Sequence, residues 1–94
     1  MNNYETMFIV KSDLKSEDRD KLLKQLEADI AKQQGKIEVA KVWAEKRMLG
    51  FKINKCDEGM FYLMQFSSAP DAISKLKQIW KINDNILRFL ILKK

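Results

Sequence analysis

The stretch KIEVAKVWAEKRMLGFKIN, residues 36–54, is unusually long for a segment that contains no proline and only one glycine. Its apolar side chains recur mostly at alternate positions, which is typical of a β-strand. The turn-forming residues Asp57-Glu58-Gly59 follow it. The next run, MFYLMQF at residues 60–66, is aromatic and apolar and predicts another strand. We therefore expect residues 36–66 to form one long hairpin.

A strand and a helix are predicted before this hairpin. The run YETMFIV, residues 4–10, has the aromatic and β-branched composition of a strand. Ser16 is a candidate helix cap and is followed by acids, the charge that suits a helix N-terminus. We expect the helix to end at Gly35. Its buried side should carry the apolar residues at helical spacing, which are Leu22, Leu23, Leu26 and Ile30.

A second helix and a last strand are predicted after the hairpin. Ser68 is the candidate cap, Pro70 falls in the first turn, and Asp71 is the acid of a capping box. The polar residues 83–85 end the helix, and ILRFLIL, residues 86–92, begins the final strand.

The predicted element order is β-α-β-β-α-β in a single domain covering residues 1–94. At this length the order indicates an α+β, ferredoxin-like fold, with a four-stranded antiparallel sheet and two helices on one face. The sheet face away from the helices would then meet water, and its side chains should be polar.

Three strands depart from that expectation, because both of their faces are apolar. The residues we assign to the face away from the helices are Met7, Ile9, Phe61, Leu63, Leu90 and Leu92. A contiguous apolar patch of this kind indicates a surface for another protein or for a ligand. We also expect Phe51 to belong to this predicted protein interface.

The excess of positive charge lies in the last quarter of the chain. The net charge is +5, yet residues 1–71 contain twelve basic and twelve acidic side chains. Residues 72–94 contain six basic side chains and one acidic side chain. This asymmetry favours a polyanionic partner, with nucleic acid the commonest, over a merely solvated surface.

The composition excludes most enzyme chemistry. The chain has one cysteine, Cys56, and no histidine, so an internal disulfide, a Cys/His zinc site and a histidine-activated nucleophile are all excluded. No glycine-rich phosphate loop is present, and we expect no signal peptide because the N-terminal residues MNNYE lack its basic-then-apolar pattern. We expect a cytoplasmic protein that is not an enzyme, with no cofactor, no metal, no small-molecule substrate and no membrane association.

Two known uses of this fold are also disfavoured. Small acyl-phosphate hydrolases have a glycine-rich arginine loop after the first strand, where this chain has KSDLKSED at residues 11–18. RNA-recognition domains carry a basic and aromatic run with glycines, which is absent here. The remaining combination is an apolar face for a protein and a basic edge for a polyanion.

Several short motifs occur together in the order of a known family. They are Tyr4-Glu5 at the first strand, a glycine closing the first helix, WAEKRMLGFKI at residues 43–53, Gly59, and Asn83-Asp84 followed by Arg88. On these residues the chain resembles, over essentially its whole length, the family of the sixth protein of the bacterial small ribosomal subunit. That family writes the middle motif W-G-x-R-x-L-A-Y-x-I, and this chain has one extra residue after Trp43.

The resemblance implies a structural role in the small ribosomal subunit, supporting platform assembly and translation. It implies a heterodimer with the eighteenth protein of the subunit, here called S-eighteen, which binds the central domain of 16S rRNA. The residues expected near RNA are Asn2, Asn3, Tyr4, Arg47, Lys81, Arg88, Lys93 and Lys94.

Simpler roles stay open for the residues that stand out. Arg47 could form an ion pair with Glu38 or Glu45, and Arg88 could pair with Glu5. Trp43 and Trp80 could both be packing residues, in the core or at its rim. For the whole chain, the alternatives are a regulatory ferredoxin-like module that forms homodimers through the open sheet face without RNA, and a small hydrolase.

Overall fold

The computed structural model describes the backbone of residues 2–53 and 56–94, and within these ranges all side chains except those of residues 45–46, 51–53 and 56–57. The six elements follow the predicted order. They are β1 (Asn2–Lys11), α1 (Ser16–Lys32), β2 (Lys36–Ile53), β3 (Cys56–Ser68), α2 (Pro70–Lys81) and β4 (Ile86–Lys93).

The strands form one four-stranded sheet with the order β2-β3-β1-β4. Each neighbouring pair is antiparallel, so β1 lies in the centre beside β3 and β4, and β2 is an edge strand. The ferredoxin-like α+β fold predicted from the element order is confirmed, including the long hairpin formed by β2 and β3.

Both helices pack against the same face of the sheet. Alternate residues of β1 and β3 are buried against Leu26 and Ile30 of α1 and against Leu76 and Trp80 of α2. Phe8 is fully buried in the centre of this layer, and its ring centroid lies 4.7 Å from that of Trp80, edge to face. Burial of this apolar layer supplies most of the driving force for folding.

The ends of both helices differ from the predictions. The α1 helix begins at Ser16 itself, with Lys15 at the N-cap, and no side chain caps it. Ser68 belongs to β3, and its hydroxyl contacts the carbonyl oxygen of Ala69, which is the N-cap of α2. The predicted serine caps are wrong because Ser16 is already helical and Ser68 is still in the sheet. Pro70 in the first turn of α2 is confirmed.

The two glycines assigned to the end of α1 and to the hairpin turn also have other roles. The left-handed residue after α1 is Gln34, with φ 63°, while a Cβ on Gly35 would lie 2.7 Å from Ile30 Cγ2. Gly35 is therefore needed for close packing at the start of β2. Asp57-Glu58-Gly59 lies inside β3 rather than in a turn, and Gly59 pairs with Lys11 of β1.

Neither helix in the described part of the chain has the length and apolarity needed to cross a membrane.

Candidate protein and RNA interface

The sheet face opposite the helices, here called the open face, carries the predicted apolar residues. In β1 the buried residues Thr6, Phe8 and Val10 alternate with partly exposed Met7 and Ile9. The other strands repeat this alternation, so the structure places on the open face all six residues assigned there, Met7, Ile9, Phe61, Leu63, Leu90 and Leu92. The side chain of Phe51 lies outside the described residues.

The strand register brings these side chains into rows across the sheet. Met7 lies opposite Leu63 of β3 on one side and opposite Leu90 of β4 on the other. In the next row Ile9 lies between Phe61 and Arg88. Cross-strand neighbours on one face are about 5 Å apart, so the two rows form a contiguous apolar surface.

This surface is open to solvent at the β4 edge. Leu90 is 58% exposed and Leu92 is 52% exposed. A shallow hollow beside them is lined by Met7, Ile9, Arg88, Phe89 and Leu90. Contiguous exposed apolar surface is uncommon on a monomer and marks a binding site for an apolar partner.

The guanidinium of Arg47 lies over two aromatic side chains of the open face. Its guanidinium carbon lies 4.9 Å from the centre of the Trp43 ring and 6.0 Å from that of Phe61. The Trp43 and Phe61 ring centroids are 5.8 Å apart. These distances fit cation–π contacts. Trp43 is 51% exposed, so it is a surface residue and not a core packing residue.

The sequence pattern missed this cluster because β2 is irregular. The pairing of β2 with β3 shifts between Val42 and Ala44 and again between Ala44 and Arg47. Each bulge adds a residue, and strict alternation then no longer tells which face a side chain occupies. The aromatic and basic composition of residues 43–47 was the available signal. Glu38, one of the two acids considered for Arg47, lies nine residues away on the same strand, about 30 Å along it, so that predicted ion pair is wrong. The side chain of the other acid, Glu45, lies outside the described residues.

The register separates Arg88 from Glu5. Arg88 lies opposite Ile9, whereas Glu5 lies opposite Leu92, four residues along β4 and about 13 Å away. Glu5 instead accepts a hydrogen bond of 3.0 Å from Gln65 Nε2, and its carboxylate lies 3.5 Å from Lys94 Nζ. Arg88 is exposed and shares the open face with Leu90.

The chain termini bring four of the predicted RNA-binding residues together. Lys93 pairs with Tyr4 at the end of the sheet where β1 begins, and the backbone N–H of Lys94 donates to the carbonyl of Asn3 at 2.9 Å. Asn3 and both lysines are exposed. Asn2, Asn3, Lys93 and Lys94 thus lie at one end of the sheet, and they are here called the terminal cluster.

Tyr4 does not belong to that surface. It is only 6% exposed and packs on Phe66, with ring centroids 5.7 Å apart. Its predicted place among the RNA contacts needs correction, because alternation directs its ring to the helix-covered face. Its hydroxyl contacts Asn2 Nδ2 at 3.3 Å.

The remaining basic residues lie at the other end of the molecule. Lys81 ends α2, and it lines a hollow together with Arg88 near the start of β4. Arg88 and Lys93 are five residues apart in β4, which is about 17 Å. The predicted RNA-binding residues therefore form two separate groups rather than one patch.

The described residues offer no metal centre. Within residues 2–53 and 56–94, no three or more of the His, Cys, Asp or Glu side chains described converge on a point where a metal could bind. The described surface can therefore bind a partner through burial of apolar side chains, cation–π contacts and hydrogen bonds donated by cationic side chains.

The comparison with known families agrees with this picture. Residues 3–93 match the family described as "Ribosomal protein S6". The chain belongs to this family. Its curated relatives include the "Small ribosomal subunit protein bS6" of Caldanaerobacter subterraneus subsp. tengcongensis, which is 37% identical over 93 residues that span 99% of this chain and 97% of the relative. The protein of the same name from Desulforamulus reducens is 34% identical, with the same coverage of both chains.

A solved structure gives independent support for the fold. The chain resembles the crystal structure of 30S ribosomal protein S6 from Thermotoga maritima with a TM-score of 0.91, over 99% of this chain and 87% of that one. The sequence identity is 22%, so this likeness concerns the fold.

Family membership decides the broad role. Members of the ribosomal protein S6 family are structural proteins of the small ribosomal subunit and are not enzymes. The chain is accordingly a small-subunit ribosomal protein of the bacterial cytoplasm, and the hydrolase alternative is excluded.

Proposed function

We propose that the chain binds S-eighteen through the apolar open face and that the resulting heterodimer binds the central domain of 16S rRNA. In this role it supports assembly of the platform of the small subunit. The observation that carries the proposal is the row formed by Leu63, Met7 and Leu90, which is continuous across three strands and exposed at Leu90.

Aliphatic side chains on the open face support a protein partner rather than bases. Single-stranded RNA is bound on sheets by aromatic rings that stack on the bases. The centre of the open face offers Met7, Leu63 and Leu90 instead. Burying these side chains under a partner gains about 25 cal/mol for each Å² of apolar surface removed from water.

The basic groups at the two ends of β4 support an RNA contact beside that protein contact. Lys93 and Lys94 lie at one end, and Lys81 and Arg88 lie near the other. Lysine and arginine bind phosphates without reading sequence, so they fix the position of a protein on RNA. One RNA segment would have to span about 17 Å to meet both groups.

The test combines purified chain, purified S-eighteen and a fragment of the 16S rRNA central domain. We expect gel filtration to show a one-to-one complex of the two proteins, and a mobility-shift assay to show RNA binding that requires both. A stable homodimer that ignores both partners would instead support the regulatory module. RNA binding by the chain alone, unchanged by S-eighteen, would also contradict the proposal.

A further inference from the structure

We propose that Trp43 is a positioning residue that holds the guanidinium of Arg47 ready to bind an RNA phosphate at the edge of the open face. The guanidinium carbon lies 4.9 Å from the Trp43 ring centre and 6.0 Å from the Phe61 ring centre. The centroids of the two rings are 5.8 Å apart, so both rings lie beside the same guanidinium.

Contact with these rings prepares Arg47 for an RNA phosphate. A free arginine side chain loses rotamer freedom when it binds, and a stacked one has already lost part of it. Stacking uses the flat face of the guanidinium, whereas hydrogen bonds to phosphate are formed by the N–H groups at its edge. Arg47 can therefore keep its aromatic contacts while it donates to phosphate oxygens in a bidentate manner.

The surrounding charge favours RNA over an acidic protein segment. Gly59 pairs with Arg47 on one side and with Lys11 on the other, which places Lys11 in the same row, about 10 Å from Arg47. Arg88 lies opposite Ile9 in the adjacent row. Arg47 of β2, Lys11 of β1 and Arg88 of β4 thus line one end of the open face. A row of cations of this kind is suited to bind the successive phosphates of RNA.

This cationic border adjoins the apolar surface directly. The Phe61 ring contacts the Trp43 ring, and Phe61 lies opposite Ile9 in the neighbouring strand. A protein that covers Met7 and Leu90 would therefore end close to Arg47, and RNA could contact the border of the same complex. Lys11 and Trp43 are the residues that this inference adds to the RNA-binding surface.

The inference rests on the proposed function, since it specifies how the heterodimer binds RNA. Its test measures the affinity of the heterodimer for the 16S rRNA central-domain fragment over a range of salt concentrations. The variants are Trp43→Leu, Trp43→Phe, Arg47→Gln and the double variant Trp43→Leu with Arg47→Gln. Pairing with S-eighteen and thermal unfolding are measured for each one.

Trp43→Leu should weaken RNA binding about two- to fivefold, the size of an exposed cation–π contact, without loss of pairing with S-eighteen. Trp43→Phe keeps a ring and should restore most of the affinity. Because Trp43 acts through Arg47, the double variant should bind no more weakly than Arg47→Gln alone.

Three results would overturn the inference. They are wild-type affinity in Trp43→Leu, additive losses in the double variant, and a loss of pairing with S-eighteen in place of a loss of RNA binding. The last would assign Arg47 to the protein partner. If the wild-type heterodimer failed to bind the fragment at all, the proposed function itself would be wrong, so the two failures are distinguishable.

Discussion

Trp80 Nε1 donates a hydrogen bond of 3.1 Å to Asp29 Oδ2, and this bond joins α2 to α1 across the helix layer. Asp29 is 4% exposed and also accepts a bond of 2.8 Å from Gln25 Nε2. Trp80 contacts Phe8 and Phe89 edge to face, so its ring links both helices to the sheet. A buried carboxylate requires such donors, because burying it without them is costly.

Replacing Trp80 with phenylalanine should therefore destabilise the fold. Trp80→Phe removes a donor from the buried Asp29 and leaves a space in the core, and we expect the free energy of unfolding to fall by about 2–4 kcal/mol. Urea unfolding followed by circular dichroism measures this change. The matched control is Trp43→Phe at an exposed site, which should change the free energy by less than about 0.5 kcal/mol. Equal losses in the two variants would contradict this account.

The left-handed residue after α1 predicts a stabilising substitution. Gln34 has φ 63°, a conformation that costs a non-glycine residue about 1 kcal/mol. Gln34→Gly should therefore raise the free energy of unfolding by about 0.5–1 kcal/mol. In Gln33, φ is −91°, so Gln33→Gly should give no gain and serves as the control. Thermal unfolding of both variants checks the prediction, and equal effects would contradict it.

The raised pKa of Tyr62 should make the free energy of unfolding fall at alkaline pH. Burial, together with the nearby carboxylate of Glu27, which accepts a hydrogen bond of 3.2 Å from the phenol, raises the pKa of Tyr62 well above its usual value. Above about pH 10 the unfolded chain loses this proton while the folded chain keeps it. The contribution to stability is thus complete below pH 10 and is lost as the pH rises.

The measurement compares wild type with Tyr62→Phe. Lysines also titrate in this range, so only the difference between the two unfolding curves reports on Tyr62. We expect the free energy of unfolding of the wild type to fall more steeply than that of the variant between about pH 10 and pH 12. Parallel curves would show that the phenol is no more protected in the folded state than in the unfolded one.

Substitution of Arg88 shows whether this residue contacts RNA or the protein partner. If Arg88 binds phosphate, Arg88→Glu should weaken binding of the heterodimer to RNA and lower the slope of log affinity against log salt by about one. Filter binding at several salt concentrations measures this slope. Lys77→Glu, an exposed cation on α2, is the control and should change it less. An unchanged slope with lost pairing to S-eighteen would place Arg88 in the protein interface.

The sequence predicted the architecture because the strands keep strict alternation where the sheet is regular. Met7 and Ile9, and Phe61 and Leu63, were assigned to the open face by period alone, and the register confirms that assignment. The apolar part of the candidate site followed from the same rule.

The parts that could not be predicted depend on local irregularity and on long-range packing. The bulges of β2 place Trp43, Arg47 and Phe61 together, and no periodic rule anticipates where an extra residue falls. Gly35 resembled a helix terminator, yet its small size serves a close approach to Ile30 that exists only in the folded chain. The family resemblance places Tyr4 among the RNA contacts, but a matching position in a family says nothing about whether the side chain is buried.

Binding of S-eighteen to the open face can be measured by sedimentation velocity of mixtures of the two proteins. Leu90→Asp places a charge on the open face, and Ile82→Asp makes the same kind of change at an 81% exposed position after α2. Wild type and Ile82→Asp should sediment with S-eighteen as a one-to-one heterodimer, while folded Leu90→Asp should sediment separately. A Leu90→Asp variant that pairs with S-eighteen as strongly as wild type would contradict the account.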